Sequence, residues 1–126
     1  MTGIETTTTL SMEEAEAAIR SALAERGFGI LTEIDVASNL RAALGVERPA
    51  LKILGSCNPV FANRALEIDE DVSLMLPCNV VLTATQAGTR IAIADPRLLM
   101  TDPEFQELAQ EAADILIAAV SAVPTS

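Results

Sequence analysis

Two hydrophobic periods alternate along this chain, and the places where one gives way to the other mark its elements. Gly3 to Thr9 is rich in β-branched residues and polar on both faces, which predicts a strand near a sheet edge. From Ser11 the spacing turns helical, with Met12, Ala15, Ile19, Ala22 and Leu23 on one side and Glu13, Glu16, Arg20 and Glu25 on the other. Ser11 and Glu14 make a capping box, and Gly27 is the natural stop. Phe28 to Val36 alternates again, placing Phe28, Ile30, Ile34 and Val36 against Glu33 and Asp35, as in a half-buried strand. A short helix through Leu40 and Leu44 follows, capped by Asp35 or Ser38 and ended by Gly45.

Ala50 to Ser56 reads as a strand with Leu51, Ile53, Gly55 and then Cys57 on the core parity and Lys52 off it. Asn58 before Pro59 supplies an N-cap and a first-turn proline for a helix carrying Phe61, Ala62, Ala65 and Leu66. That helix dissolves in Asp69-Glu70-Asp71. Ser73 to Thr85 and Thr89 to Ala94 are β-rich runs joined by Gln86-Ala87-Gly88, a predicted hairpin. Asp102 and Pro103 open a last helix with Phe105, Leu108, Ala112, Ile115, Ala119 and Val123 in one stripe. The predicted order is β-α-β-α-β-α-β-β-α. This is a single two-layer α+β domain over residues 1–126, with one mostly antiparallel or mixed sheet packed on helices and open to a partner on its other side.

A chain of 126 residues and 13.3 kDa can hold one core without metal or disulfide help. Eight basic against eighteen acidic side chains leave a net charge of −10, which repels phosphate backbones and anionic lipid. Nucleic acid and membranes are therefore not expected partners. Three Phe without Tyr or Trp give no base-stacking platform. The absence of His removes imidazole bases, His-metal sites and Ser/His or Cys/His relays. The opening MTGIETTTTL lacks a basic region followed by an apolar run, so no secretory signal is expected. The longest apolar stretch, Ile115 to Val123, is broken by Ser121 and far short of the ~20 residues that span a bilayer. The chain reads as soluble and cytoplasmic, with its two cysteines reduced by default.

No catalytic or phosphate-binding motif is present. Gly27-Phe-Gly29 precedes a strand rather than joining strand to helix, and the acidic run lacks the spacing of a calcium loop. Enzymatic activity is left open, with the sequence leaning against it, and the cofactor is left unknown. Two local phrases remain: Gly55-Ser-Cys-Asn-Pro59 and Leu76-Pro-Cys-Asn79. Cys57 sits at a strand–helix junction, where free N–H groups favour a thiolate. Cys78 has the parity of Leu74, Leu76, Val80 and Leu82. If the two strands are neighbours, both sulfurs can face one pocket, with Asn58 and Asn79 beside them. Two readings stay open: small buried hydrophobes, or a dithiol site that is redox-active or holds a soft ion such as Cu(I) or Zn(II). Two thiolates alone are too few for a closed zinc site, which would need carboxylates or a second subunit. Lys52, the only lysine, is a further candidate for binding an anion.

The phrase Leu51-Lys-Ile-Leu-Gly-Ser-Cys-Asn-Pro59, followed by Arg64-Ala-Leu66 and Leu76-Pro-Cys-Asn-Val80, resembles the bacterial and archaeal family called domain of unknown function 302. Gly27 to Val36 and Asp95-Pro96 fit the same pattern. The resemblance implies a compact two-layer α+β fold that associates as a homodimer through its sheet or an edge, and it implies no established activity. The expected function is a non-enzymatic, homodimeric binding module. Its pocket at Cys57, Asn58, Cys78 and Asn79 would take a small ligand or a soft metal. The rivals are a redox protein cycling a Cys57–Cys78 disulfide and a purely structural or partner-binding domain.

Overall fold

Five strands form one sheet: β1 (Ile4–Thr8), β2 (Gly29–Asp35), β3 (Leu51–Cys57), β4 (Cys78–Thr85) and β5 (Gly88–Ile93). Their order is β1-β5-β4-β3-β2, antiparallel at every pairing, in a computed structural model that describes residues 3–126. Met1 and Thr2 of the expected 1–126 domain lie outside the described residues. The helices are α1 (Met12–Ala24), α2 (Val36–Leu44), α3 (Pro59–Ile68), a four-residue α4 (Pro96–Leu99) and α5 (Gln106–Ser121). The fold is α+β in two layers, with β1 and β2 at the two edges. No helix among the described residues is long and apolar enough to cross a membrane.

Local signals place most boundaries. Ser11 and Glu14 close a reciprocal capping box on α1. Asp35 caps α2 by accepting from the Ser38 N–H, which draws Val36 out of the strand and into the helix. Gly45 ends α2 in the left-handed region, at φ 69°. The run from Ser73 to Thr85 is not one strand. Asp69 caps a 3₁₀ turn over Glu70–Met75, and Pro77, which has no N–H for a ladder, holds back β4 until Cys78. A second 3₁₀ turn, Pro103–Phe105, precedes α5.

Helices α1 and α5 lie against one face of the sheet. Ile19 and Leu23 of α1 and Leu116 and Val120 of α5 bury Leu54, Val80, Leu82, Ile91 and Ile93. Full burial of each such side chain contributes roughly 1.5–3 kcal/mol. The phase of β3 is the reverse of the sequence expectation. Leu54 and Ser56 are 0% exposed, whereas Leu51 and Ile53 lie half-buried on the other face. Aliphatic residues at 51, 53 and 54 leave the pattern ambiguous, and pairing of Leu54 with Val80 and Ser56 with Cys78 decides it. β2 departs too. A bulge between Ile30 and Thr32 puts Ile30 and Glu33 on the same helix-facing side, so its apolar alternation is broken in two.

Lys52 therefore faces the helices, not away from them. At the outer end of β3 it meets Glu16 and Glu33, and Arg20 bonds the same two carboxylates, closing a ring of four alternating charges. Burial pushes the Glu16 carboxyl up, but hydrogen bonds from Lys52 and Arg20 outweigh it and hold it below the usual value. The same bonds, to Glu16 first and then Glu33, raise Lys52.

The chain ends are tied at the β1 edge. The buried Thr8 hydroxyl donates to the Pro124 carbonyl at 2.6 Å and accepts from the Leu10 N–H at 3.1 Å, while the Thr9 N–H donates to the Thr125 carbonyl. Thr8→Val keeps the shape and strands both partners, so it should cost about 1–3 kcal/mol in urea unfolding. A loss within error of zero would show that the clasp contributes nothing.

Candidate functional site

β3 delivers the first Cys-Asn phrase to the start of α3. Asn58 is the N-cap, and its Oδ1 accepts from the N–H groups of Val60 at 3.0 Å and Phe61 at 3.3 Å. The helix-start donors that the sequence offered to a Cys57 thiolate are thus taken by the neighbouring side chain. The second phrase comes alongside through the β3–β4 ladder. Ser56 pairs with Cys78, and its hydroxyl donates to the Cys78 carbonyl at 3.3 Å. The two strands are neighbours, as the pocket idea required.

Between these strand ends and α3, α4 and α5 lies a small cavity of ≈ 40 Å³, walled by apolar side chains including Phe28, Phe61, Leu76, Met100 and Leu116. Cys57, Asn58 and Cys78 all border it. Phe28 and Phe61 stack with ring centroids 6.3 Å apart, and Arg64, held by Glu111 at 2.8 Å, lies over Phe61. Both cysteines are free and part-buried. Burial pushes the Cys78 thiol above its ordinary value, and the nearby Cys57 charge adds to this, so Cys78 rests as a neutral thiol. Alternation along β3 places Cys57 with Gly55 on the helix-free side and Cys78 with Ser56 on the helix side. Cys57 reaches the cavity as the last residue of its strand.

Two of the expected site residues go elsewhere. Asn79 pairs with Gly55 on the helix-free face and borders a shallow depression with Val81, Arg90 and Ala92. Lys52 lines a separate, larger cleft, and its ammonium is already engaged by two glutamates. Gly55 is needed where it stands, because a Cβ there would strike Thr32 Oγ1 and come within 2.7 Å of Pro77 Cγ. Met100 and Pro96 were missed as lining residues. Asp95 caps α4 through the Arg97 N–H and so sets Met100 against the cavity. Among the described residues no group of three or more His, Cys, Asp or Glu side chains is placed to hold a metal.

Residues 4–123 match the family described as domain of unknown function DUF302. The chain belongs to the DUF302 family. A crystal structure of an uncharacterised conserved DUF302 protein from Bacillus stearothermophilus is similar to this DUF302 domain, with 28% identity and a TM-score of 0.88. The match covers 94% of this chain and 95% of that one. A search of curated proteins returns no match.

The raised Cys78 pKa has a signed consequence for this DUF302 domain. Above the ordinary thiol value of 9.0 the unfolded thiol ionises while the folded one resists, so the unfolded state binds fewer protons and stability falls as pH rises. Between about pH 8 and about pH 10, Cys78→Ala should remove part of that decline in urea midpoint. Parallel pH profiles for the two proteins would contradict it.

Proposed function

We propose that this DUF302 domain is a non-enzymatic, cytoplasmic binding module that works as a homodimer and holds its ligand in the cavity beside Cys78. The observation that carries this reading is the convergence of Cys57, Asn58 and Cys78 on one otherwise apolar cavity, Asn79 alone being turned to the other face. The homodimer is supported by the sheet face that α1 and α5 leave uncovered, where Ile34 is exposed and Ile53, Val81 and Ala92 are half-buried. A volume of ≈ 40 Å³ is far below the roughly 300 Å³ at which organic ligand pockets begin. The ligand is therefore a soft ion or a molecule of a few atoms. Among ions, Cu(I) suits the available donors, the Cys78 sulfur, which gives up its proton to solvent as the ion binds, and the Met100 thioether, with Cys57 at the strand end.

Redox cycling comes second for two physical reasons. Side chains that leave a sheet on opposite faces point their Cβ vectors apart, so a Cys57–Cys78 disulfide requires backbone movement. Burial also keeps Cys78 protonated, and the thiolate is the attacking species in exchange.

Anaerobic titration against a coloured Cu(I) chelator tests the ligand. The wild-type chain should withdraw about one equivalent of Cu(I), Cys78→Ser should withdraw none, and Met100→Leu should bind more weakly. Failure of the wild-type chain to compete with the chelator would end the metal reading. Cu(I) uptake undiminished in Cys78→Ser would place the ion elsewhere.

A further inference from the structure

The least buried part of the molecule is an arm made of β2, α2 and the loop that returns to β3. From Gly29 to Ala50 only Ala37 is buried, and residues 41–50 are exposed without interruption. The arm nevertheless carries large aliphatic side chains into solvent, with Leu44 71% exposed, Leu31 66% and Val46 44%. α2 has nine residues. Isolated helices below ~12–15 residues are marginal in water, so a helix this short draws its order from packing. Within its own chain α2 packs only its Ala37 side, beside β3.

At the root of the arm lies a cleft of ≈ 480 Å³ between the first half of α1 and the outer ends of β2 and β3. Met12, Ala17 and Leu51 line it, and the Glu16–Arg20–Glu33–Lys52 ring closes its inner end. The four ring charges cancel. What they leave on the cleft is Glu13, which meets no cation among the described residues, and Asp35, whose Oδ1 caps α2. On α2 and the loop after it the balance is opposite. Arg41 pairs with Glu47 at 3.3 Å, while Arg48 bonds only the Pro49 carbonyl and has no carboxylate among the described residues. An aliphatic, singly cationic α2 and return loop and a residually acidic cleft thus stand side by side on each chain. A two-fold axis beside the arm's root would bring each arm to the other chain's cleft, so that one contact is made twice.

We infer that the β2–α2 arm is a dimerisation arm, which seats Leu44 and Arg48 of one chain on the Met12–Glu13–Ala17 side of the cleft in a second copy. This inference rests on the homodimer reading and places its contact on the arm in place of the open sheet face.

Sedimentation equilibrium over a range of protein concentrations tests it, with circular dichroism confirming the fold. Leu44 is exposed in the single chain, so Leu44→Asp leaves folding intact and should weaken the dimer by about tenfold or more. Arg48→Glu and Glu13→Arg should each weaken it, and the two together should restore affinity. Leu74→Asp, at an exposed leucine remote from the arm in sequence, should leave it unchanged. A wild-type dimer indifferent to Leu44→Asp, Arg48→Glu and Glu13→Arg would overturn the arm and leave the homodimer standing through the open sheet face or β2 edge pairing. A wild-type chain that stays monomeric at every concentration would overturn both.

Discussion

The pairing of Ser56 with Cys78 on the two central strands is the constraint on which the rest depends. It fixes the phase of β3, and with it the fate of every side chain that bears chemistry. Leu54 is sent into the core, Lys52 to the charge ring, Gly55 beneath Pro77, and Cys57 to the end of the strand where α3 begins. A slip of one residue would turn all of these to the opposite face. Asn58 then locks the junction by capping α3, so the cavity is framed on one side by a strand ladder and on the other by a helix start.

The same register explains how a strongly acidic chain carries part-buried charge at low cost. Lys52 leaves β3 on the helix side but at the sheet's outer end, where α1 offers Glu16 and Arg20 and β2 offers Glu33. Each ion has two partners of opposite sign, so none is desolvated alone. The ring ends the hydrophobic core on this side and leaves the cleft beyond it open. On the opposite side the thiol cavity is the other break in the apolar packing. The two clefts have different chemistry, one ionic and wide, the other neutral, sulfur-bearing and small.

Capping residues were legible in the sequence because they act locally: Ser11, Asp35, Asn58 and Gly45 each do what their position promised. The α+β class and the order of the principal strands and helices were legible for the same reason. The phase of β3 was not, because aliphatic residues occupy both parities at Ile53 and Leu54 and only β4 chooses between them. The bulge at Leu31 and the 3₁₀ turn before Pro77 likewise answer to tertiary packing that no local period records. For the site, Cys57, Asn58 and Cys78 were found by their motif, whereas Asn79 was carried along by adjacency and lies on the other face. Met100 was invisible, because nothing in its own neighbourhood marks it as a wall of the cavity.

The central claim is that Cys78 faces a cavity a small ligand can enter in the folded protein. The most direct measurement is the rate at which native protein is modified at Cys78 by a small neutral methanethiosulfonate, compared with a bulky maleimide, read by intact mass and peptide mapping. Modification of Cys78 by the small reagent under native conditions, with exclusion of the large one, is the expected result. Modification of Cys78 by either reagent only after unfolding would contradict it, and would make Cys78 a core residue with no access for a ligand.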